Sequence, residues 1–292
     1  MKKDVDKCGE ILLEALPYIK KFWNTIVIIK YGGSAMRDKD IEKQIIEDII
    51  LLKYVGMKPV IVHGGGHEIS EEMEKRKKVP QFINGLRVTD KETMEITEMV
   101  LIGKINTRLV AEINLHILKG IGNGVKGIGL SGEDAQLLTV KKHRAMELGF
   151  VGEVEKVNSE ILFILLEKNY IPVIATVGVD EEGTRYNINA DTVAAQIAIS
   201  LKAEKLIYLT DVEGIFKDFN DPSTLISSMN IDKARDLTES GCIQKGMIPK
   251  VDSAIQALEG GVKKVHLLNG KHSHSILLEL FTDSGIGTEI IH

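Results

Sequence analysis

Thr25-Ile26-Val27-Ile28-Ile29-Lys30-Tyr31-Gly32-Gly33 is a β-branched run that ends in a lysine and two glycines. Apolar residues at successive positions leave no face for water, so the run predicts a strand buried on both sides, as in parallel sheets covered by helices. A helix over 39–55 follows. A lysine at the carboxyl end of a core strand, with glycines that admit a ligand to the backbone, is what an open α/β sheet places over an anion. The alternative is a strand-end lysine whose ammonium reaches solvent.

The pattern recurs. Lys58-Pro59-Val60-Ile61-Val62-His63 reads as a second buried strand, and Gly64-Gly65-Gly66 leads into a helix over 67–77. Three successive glycines cost backbone entropy, so something approaches this backbone closely. An esterase oxyanion loop would need a G-x-S-x-G elbow, and the sequence contains none. His63 and His67 flank the turn on no common helix face and do not suggest a metal site.

Further strands are expected at Val125–Leu130, Ile171–Ala175, Lys205–Leu209, Val262–Leu268 and Thr288–Ile291. Residues 136–157 read as a hairpin-like excursion. Helices are expected at 158–169, 231–240 and 250–259, and residues 90–118 as two helices broken around Gly103-Lys104. Strands alternating with helices give an α/β fold, a largely parallel sheet of about eight strands sandwiched by helices. Ahead of the first strand, Ile11, Leu12, Ala15, Leu16 and Ile19 mark an amphipathic helix over 4–20 that Pro17 should kink or stop. It has no obvious place in the sheet.

Polar residues collect at the strand ends. Tyr186-Asn187-Ile188-Asn189-Ala190-Asp191 leads into a small-residue helix, and either Asn189 or Asp191 can cap it; an ordinary Asx turn is the plainer reading. Arg87, in Asn84-Gly85-Leu86-Arg87-Val88-Thr89, stands before a helix capped near Thr89, with a fork suited to carboxylate or phosphate. A surface arginine would fit the same pattern. Thr210-Asp211 ends a strand, and Pro249-Lys250 opens a helix. Two lysines, glycine backbone and one carboxylate describe phosphoryl transfer, where catalysis is mainly positioning and neutralisation. No P-loop, H-R-D or D-F-G motif is present, and Gly122-Asn123-Gly124-Val125-Lys126-Gly127 follows a helix and enters a strand, the wrong context for a dinucleotide fingerprint.

The 292 residues carry a formal net charge of −5, which gives no nucleic-acid footprint. No apolar run is long enough to span a bilayer. Cys8 and Cys242 form no paired motif, and a cytoplasmic address is expected.

In this order Lys30-Tyr31-Gly32-Gly33, His63-Gly64-Gly65-Gly66, Asn84-Gly85-Leu86-Arg87-Val88-Thr89, Asn187-Ile188-Asn189-Ala190-Asp191 and Gly246-Met247-Ile248-Pro249-Lys250 resemble the amino acid kinase family over nearly the whole chain. They are closest to its branch that phosphorylates N-acetyl-L-glutamate in arginine biosynthesis. The resemblance implies a three-layer αβα sandwich using ATP and Mg²⁺. It implies an amphipathic N-terminal helix, 1–23, and a kinase domain, 24–292, with a substrate lobe, 24–195, and an ATP lobe, 196–292.

It further implies catalytic roles for Lys30, Lys250 and Asp191. Gly65, Gly66, Arg87, Asn187 and Asn189 would hold the acyl amino acid, and Gly32, Gly33, Thr210 and Asp211 the nucleotide phosphates. Tyr18, His266, Glu279 and Gly285 resemble an inhibitory L-arginine site, in a hexamer built as a trimer of dimers. His67, Thr107 and Lys245 depart from the family's pattern. Little sequence follows the last strand, so the added C-terminal domains of aspartate and glutamate 5-kinases are not expected. The rivals are an aminoadipate-type kinase, or a catalytically silent module of the same fold.

Overall fold

The computed structural model describes residues 13–36, 38–116, 125–218, 221–243, 246–282 and 285–292. Residues 4–12 of the expected N-terminal helix, Gly122 to Gly124 and Lys245 lie outside them. Helix α1, residues 13–22, continues through Pro17, so of the expected kink or stop the stop does not occur. Its end is fixed by Phe22, which is buried and joins the core.

Strand β1 (Ile26–Tyr31) leads through helix α2 (Lys39–Tyr54) to β2 (Lys58–His63), and helix α3 (Gly66–Lys75) follows. A short ribbon, β3 (Phe82–Ile83) with β4 (Leu86–Arg87), precedes helix α4 (Lys91–Glu98). Between α4 and α5 (Thr107–His116) the chain does not break at Gly103-Lys104. It runs on through a π-helical segment, Met99–Asn106, in which the turns are widened. The helix cap here is Asp90, whose carboxylate accepts from Thr93 N at 2.8 Å, whereas Thr89 Oγ1 donates to Arg87 O.

Strand β5 (Lys126–Ser131) is followed by β6 (Leu138–Lys142) and β7 (Gly152–Val157), which pair antiparallel with a bulge at Thr139/Val140. Then come α6 (Glu160–Glu167), β8 (Tyr170–Ala175), β9 (Val177–Val179), β10 (Arg185–Asn187) and α7 (Ala190–Ser200). The chain closes with β11 (Lys205–Thr210), β12 (Ser228–Asn230), α8 (Ile231–Glu239), α9 (Ile248–Glu259), β13 (Lys264–Asn269), α10 (Ser275–Phe281) and β14 (Thr288–Ile291).

The main sheet has eight strands in the order β12-β14-β13-β11-β1-β2-β8-β5, parallel except where β13 meets β14. A smaller sheet, β10-β9-β6-β7, carries the excursion. Alternation along each strand divides the core in two. Ile28, Val60, Val62, Ile174, Leu206 and Tyr208 pack with α6, α7, α8 and α9, while Val27, Ile29, Ile61, Val173, Ile207 and Leu209 pack with α2, α5, α10 and the π segment. Burying the central strands β1, β2, β8 and β11 almost throughout is possible because helices cover both faces, so the α/β sandwich expected from the sequence is the observed fold.

Asn189 resolves which residue caps α7. Its side-chain oxygen accepts from Asp191 N at 2.8 Å and Thr192 N at 3.2 Å, leaving the Asp191 carboxylate for other use. Asn189→Ala should lower unfolding stability by about 1 kcal/mol, with Asn189→Asp losing much less, as read from urea midpoints at constant slope. Equal midpoints for Asn189→Ala and the parent would show that the cap contributes nothing.

Candidate active site

The carboxyl ends of β1, β2 and β8 open on a cleft of about 200 Å³. Asp191, in the first turn of α7, is buried beneath it. Lys30 Nζ, from the end of β1, lies 2.9 Å from its Oδ1, and Lys250 Nζ, from the start of α9, lies 2.6 Å from its Oδ2. Burial alone would raise the Asp191 carboxyl, but the two lysine charges outweigh it and hold it down to about 2. Burial pulls the Lys30 ammonium below the ordinary lysine range, against the pull of Asp191. The carboxylate therefore works as a fixed counter-ion that keeps two ammoniums side by side, with one positive charge in excess.

Backbone frames these charges. A Cβ on Gly32 would come 3.1 Å from Lys30 Nζ, so glycine there leaves the ammonium its room, and Gly33 takes φ +72°. A Cβ on Gly65 would collide with Ile105 and Leu101 of the π segment. Gly65 is the N-cap of α3, and Gly65 and Gly66, at the helix end whose N–H groups have no partner within the helix, line the cleft.

Arg87 is buried, donates to Gly66 O and to Ser70 Oγ, and lies 4.7 Å from the Phe82 ring centroid. Burial pushes its guanidinium down to about 10, still cationic at neutral pH. Asn187 donates to Thr89 Oγ1 at 3.4 Å and lines the same cleft with Asn189. Thr210 and Asp211 are not among the lining residues and stand at the end of β11, where Thr210 Oγ1 is 3.3 Å from Asp211 Oδ1 and within reach of Met247 Sδ. His67 points to Glu71, one turn along α3. Sequence reading missed Phe82, Leu86, Leu101 and Thr176, apolar or small groups whose part in the lining comes only from tertiary placement.

A second cavity, of about 290 Å³, lies at the opposite end of β11. It is lined by Tyr18, His266, Glu279 and Gly285 together with Lys205, Lys264 and Glu289. His266 Nδ1 is 2.7 Å from Glu279 Oε1, and Lys205 Nζ is 2.9 Å from His266 Nε2. Glu279 Oε2 accepts from Ile286 N and Gly287 N. Burial opposes ionisation of Glu279, but His266 and those N–H groups hold it down to about 2. Burial with the nearby Lys264 charge pushes Lys205 down to about 8. Lysines opening two neighbouring parallel strands were the available signal for Lys205 and Lys264.

The model of the amino acid kinase family matches residues 25–269. The acetylglutamate kinase of Methanobrevibacter smithii is 51% identical across 99% of both chains, and that of Moorella thermoacetica is 50% identical across 98% of both. Among solved structures, N-acetylglutamate synthase from Neisseria gonorrhoeae complexed with coenzyme A and N-acetyl-glutamate superposes with a TM-score of 0.84 at 28% identity, over 97% of this chain and 63% of that one. The same synthase with coenzyme A and L-arginine gives a TM-score of 0.81 at 27% identity, over 97% and 65%. This chain thus spans less than two thirds of the synthase. With the family model covering most of its length and about half its residues shared with kinases of equal extent, the chain belongs to the amino acid kinase family.

Proposed function

We propose that this chain transfers the γ-phosphoryl group of ATP to the γ-carboxylate of N-acetyl-L-glutamate, giving an acyl phosphate and ADP. The observation that carries the reading is the Lys30–Asp191–Lys250 triad facing two glycine loops, in a chain half identical to acetylglutamate kinases. A γ-carboxyl group ordinarily ionises near pH ~4.3 and is already a nucleophile at neutral pH, so no general base is required. Its oxygen forms a bond to the γ-phosphorus while the bond from that phosphorus to the β,γ-bridging oxygen breaks, the electron pair leaving with ADP. Lys30 and Lys250 neutralise the charge on the transferring group, and Gly32, Gly33, Gly65 and Gly66 offer backbone N–H groups.

Both oxygens of Asp191 are engaged by lysines, and among the described residues no three metal-binding side chains converge. Mg²⁺ is therefore assigned to the nucleotide and enters as Mg-ATP, held mainly by phosphates and water. Arg87 pairs with a carboxylate of the acceptor, Asn187 holds its α substituents, and Thr210 and Asp211 border the nucleotide. On this reading residues 24–195 form the acceptor lobe and residues 196–292 the ATP lobe.

We further infer feedback inhibition by L-arginine at the second cavity, where the buried Glu279 carboxylate suits a guanidinium and Lys205 and Lys264 suit a carboxylate. The similar synthase was solved with L-arginine, which supports this assignment. Leu13, Leu16 and Trp23 are 70, 56 and 64% exposed, an apolar surface on and beside α1 that fits contact with a second copy. Such a contact, added to a second two-fold interface, closes a hexameric ring. No helix of the described residues is long and apolar enough to cross a membrane.

ADP release should require both Mg-ATP and N-acetyl-L-glutamate; release with aspartate, aminoadipate or UMP and none with N-acetyl-L-glutamate would refute the assignment. Lys30→Ala and Lys250→Ala should each lower kcat by on the order of a hundredfold or more, while Arg87→Ala should chiefly raise KM for the acyl amino acid. Normal kcat in a folded lysine variant would remove that residue from the mechanism. Arginine should raise the half-saturating acetylglutamate concentration about fivefold or more. Paired Leu13→Glu and Leu16→Glu changes should reduce the sedimenting species to dimers; a parent protein already dimeric and indifferent to millimolar arginine would overturn the regulatory part alone.

A further inference from the structure

His63 is fully buried at the end of β2, directly before the glycine turn. Its ring lies between two polar groups. Nδ1 is 3.0 Å from the carbonyl of Gly64, and Nε2 is 3.2 Å from Nδ2 of Asn106, the last residue of the π segment. The protonation pattern follows from Asn106. Its amide nitrogen also lies 2.8 Å from Val173 O and 3.4 Å from Leu130 O, two carbonyls that can only accept. The amide must turn its NH₂ toward them, so it donates to His63 Nε2, and the ring proton sits on Nδ1. That proton is then given to Gly64 O.

The consequence lies one atom further along. The carbonyl of a residue and the N–H of the next point in opposite directions across a trans peptide, and no cis peptide is present among the described residues. Gly64 N already donates to Tyr31 O at 3.1 Å. Drawing Gly64 O onto the imidazole fixes the other end of this residue and aims the Gly65 N–H away from the ring, toward the cleft. Gly65 lies there without a side chain, and a Cβ would meet the methyl ends of Leu101 and Ile105 on the π segment that supplies Asn106. Asn106 in turn fits because position 129 is glycine: a Cβ there would collide with Asn106 Oδ1. A π-helical turn places Asn106 at an angle an α-helix would not give, and such turns recur at functional sites.

We propose that His63, held in its neutral Nδ1–H form by Asn106, is a positioning residue that aims the Gly65 N–H at the oxygen gaining charge during phosphoryl transfer. This rests on the kinase reading above. Burial pushes His63 down to about 4, so the neutral ring persists at neutral pH.

Two substitutions separate positioning from packing. In His63→Asn the side-chain amide nitrogen can reach the place of Nδ1 and keep the tie to Gly64 O. In His63→Gln the amide reaches the place of Nε2, preserving the contact with Asn106 but losing that tie. kcat should fall by about tenfold or more in His63→Gln with KM for ATP within about twofold, and should stay within about threefold of the parent in His63→Asn. A packing role gives the reverse order, because Gln is nearer His in size, and that order would overturn the proposal. The second measurement needs no turnover. In full-length protein with ¹⁵N-labelled histidine near pH 7.5, the His63 signals, identified by their loss in either variant, should show a protonated Nδ1 and a bare Nε2. An Nε2–H tautomer or an imidazolium would overturn the proposal. Parent protein without acetylglutamate kinase activity would refute the kinase reading, whereas the tautomer tests the His63 geometry separately.

Discussion

The cleft depends on one buried carboxylate. Removing Asp191 from water is unfavourable unless its charge is met, and Lys30 and Lys250 meet it from two different elements. The relation is mutual, since without Asp191 two ammoniums would repel each other in a poorly solvated place. Breaking such a buried set by removing one member costs about 3–5 kcal/mol in other proteins, much of it from the charge left behind. β1, α7 and α9 are thereby held to one arrangement. The small side chains of α7, among them Ala194, Ala195 and Ala198, are all buried and let α9 and the sheet approach closely enough for the three charged groups to meet.

The sheet determines what else reaches this point. Parallel strands all end on the same edge, so β1, β2, β8 and β11 deliver their last residues together, and the helices that follow start there. The first residues of α3 and α7 line the cleft, adding their partial positive charge to the excess on the lysines, and α9 sends Lys250 to Asp191 from its own first turn. An anionic group entering the cleft would thus meet a positive environment already organised before it arrives, which is what the proposed phosphoryl transfer would gain most from.

Much of this was legible because it is local. Lys30 with two glycines, the triple glycine turn, and Asn-x-Asn-x-Asp before a small-residue helix each pair a strand end with a helix start, and the structure keeps every one. The misreadings share a cause. Gly103 suggested a break, but a π turn is one residue of slippage stabilised by what it packs against, here Gly65 and Gly129, far away in sequence. Thr89 and Asp90 are both good caps, and the choice fell to Asp90 because Thr89 already bonds Arg87 O. Pro17 suggested a kink or a stop, and the stop does not occur: the helix runs on to Phe22, which is buried in the core. Lys205 and Lys264 look like ordinary strand-opening lysines until the parallel register sets them side by side.

Strand β11 starts in the second cavity and ends on the carboxyl edge of the sheet: Lys205, its first residue, lines that cavity, and Thr210, its last, lies within reach of Met247 Sδ, outside the lining of the cleft. Its five residue steps span roughly 17 Å. Every side chain along it is buried between two close-packed layers, and its backbone is bonded to β1 on one side and β13 on the other. An extended strand so confined cannot stretch or buckle, and protein interiors compress little. Its length is thus a fixed dimension of the sheet: a displacement of the Lys205 end would have to be carried by the strand as a whole rather than absorbed along it.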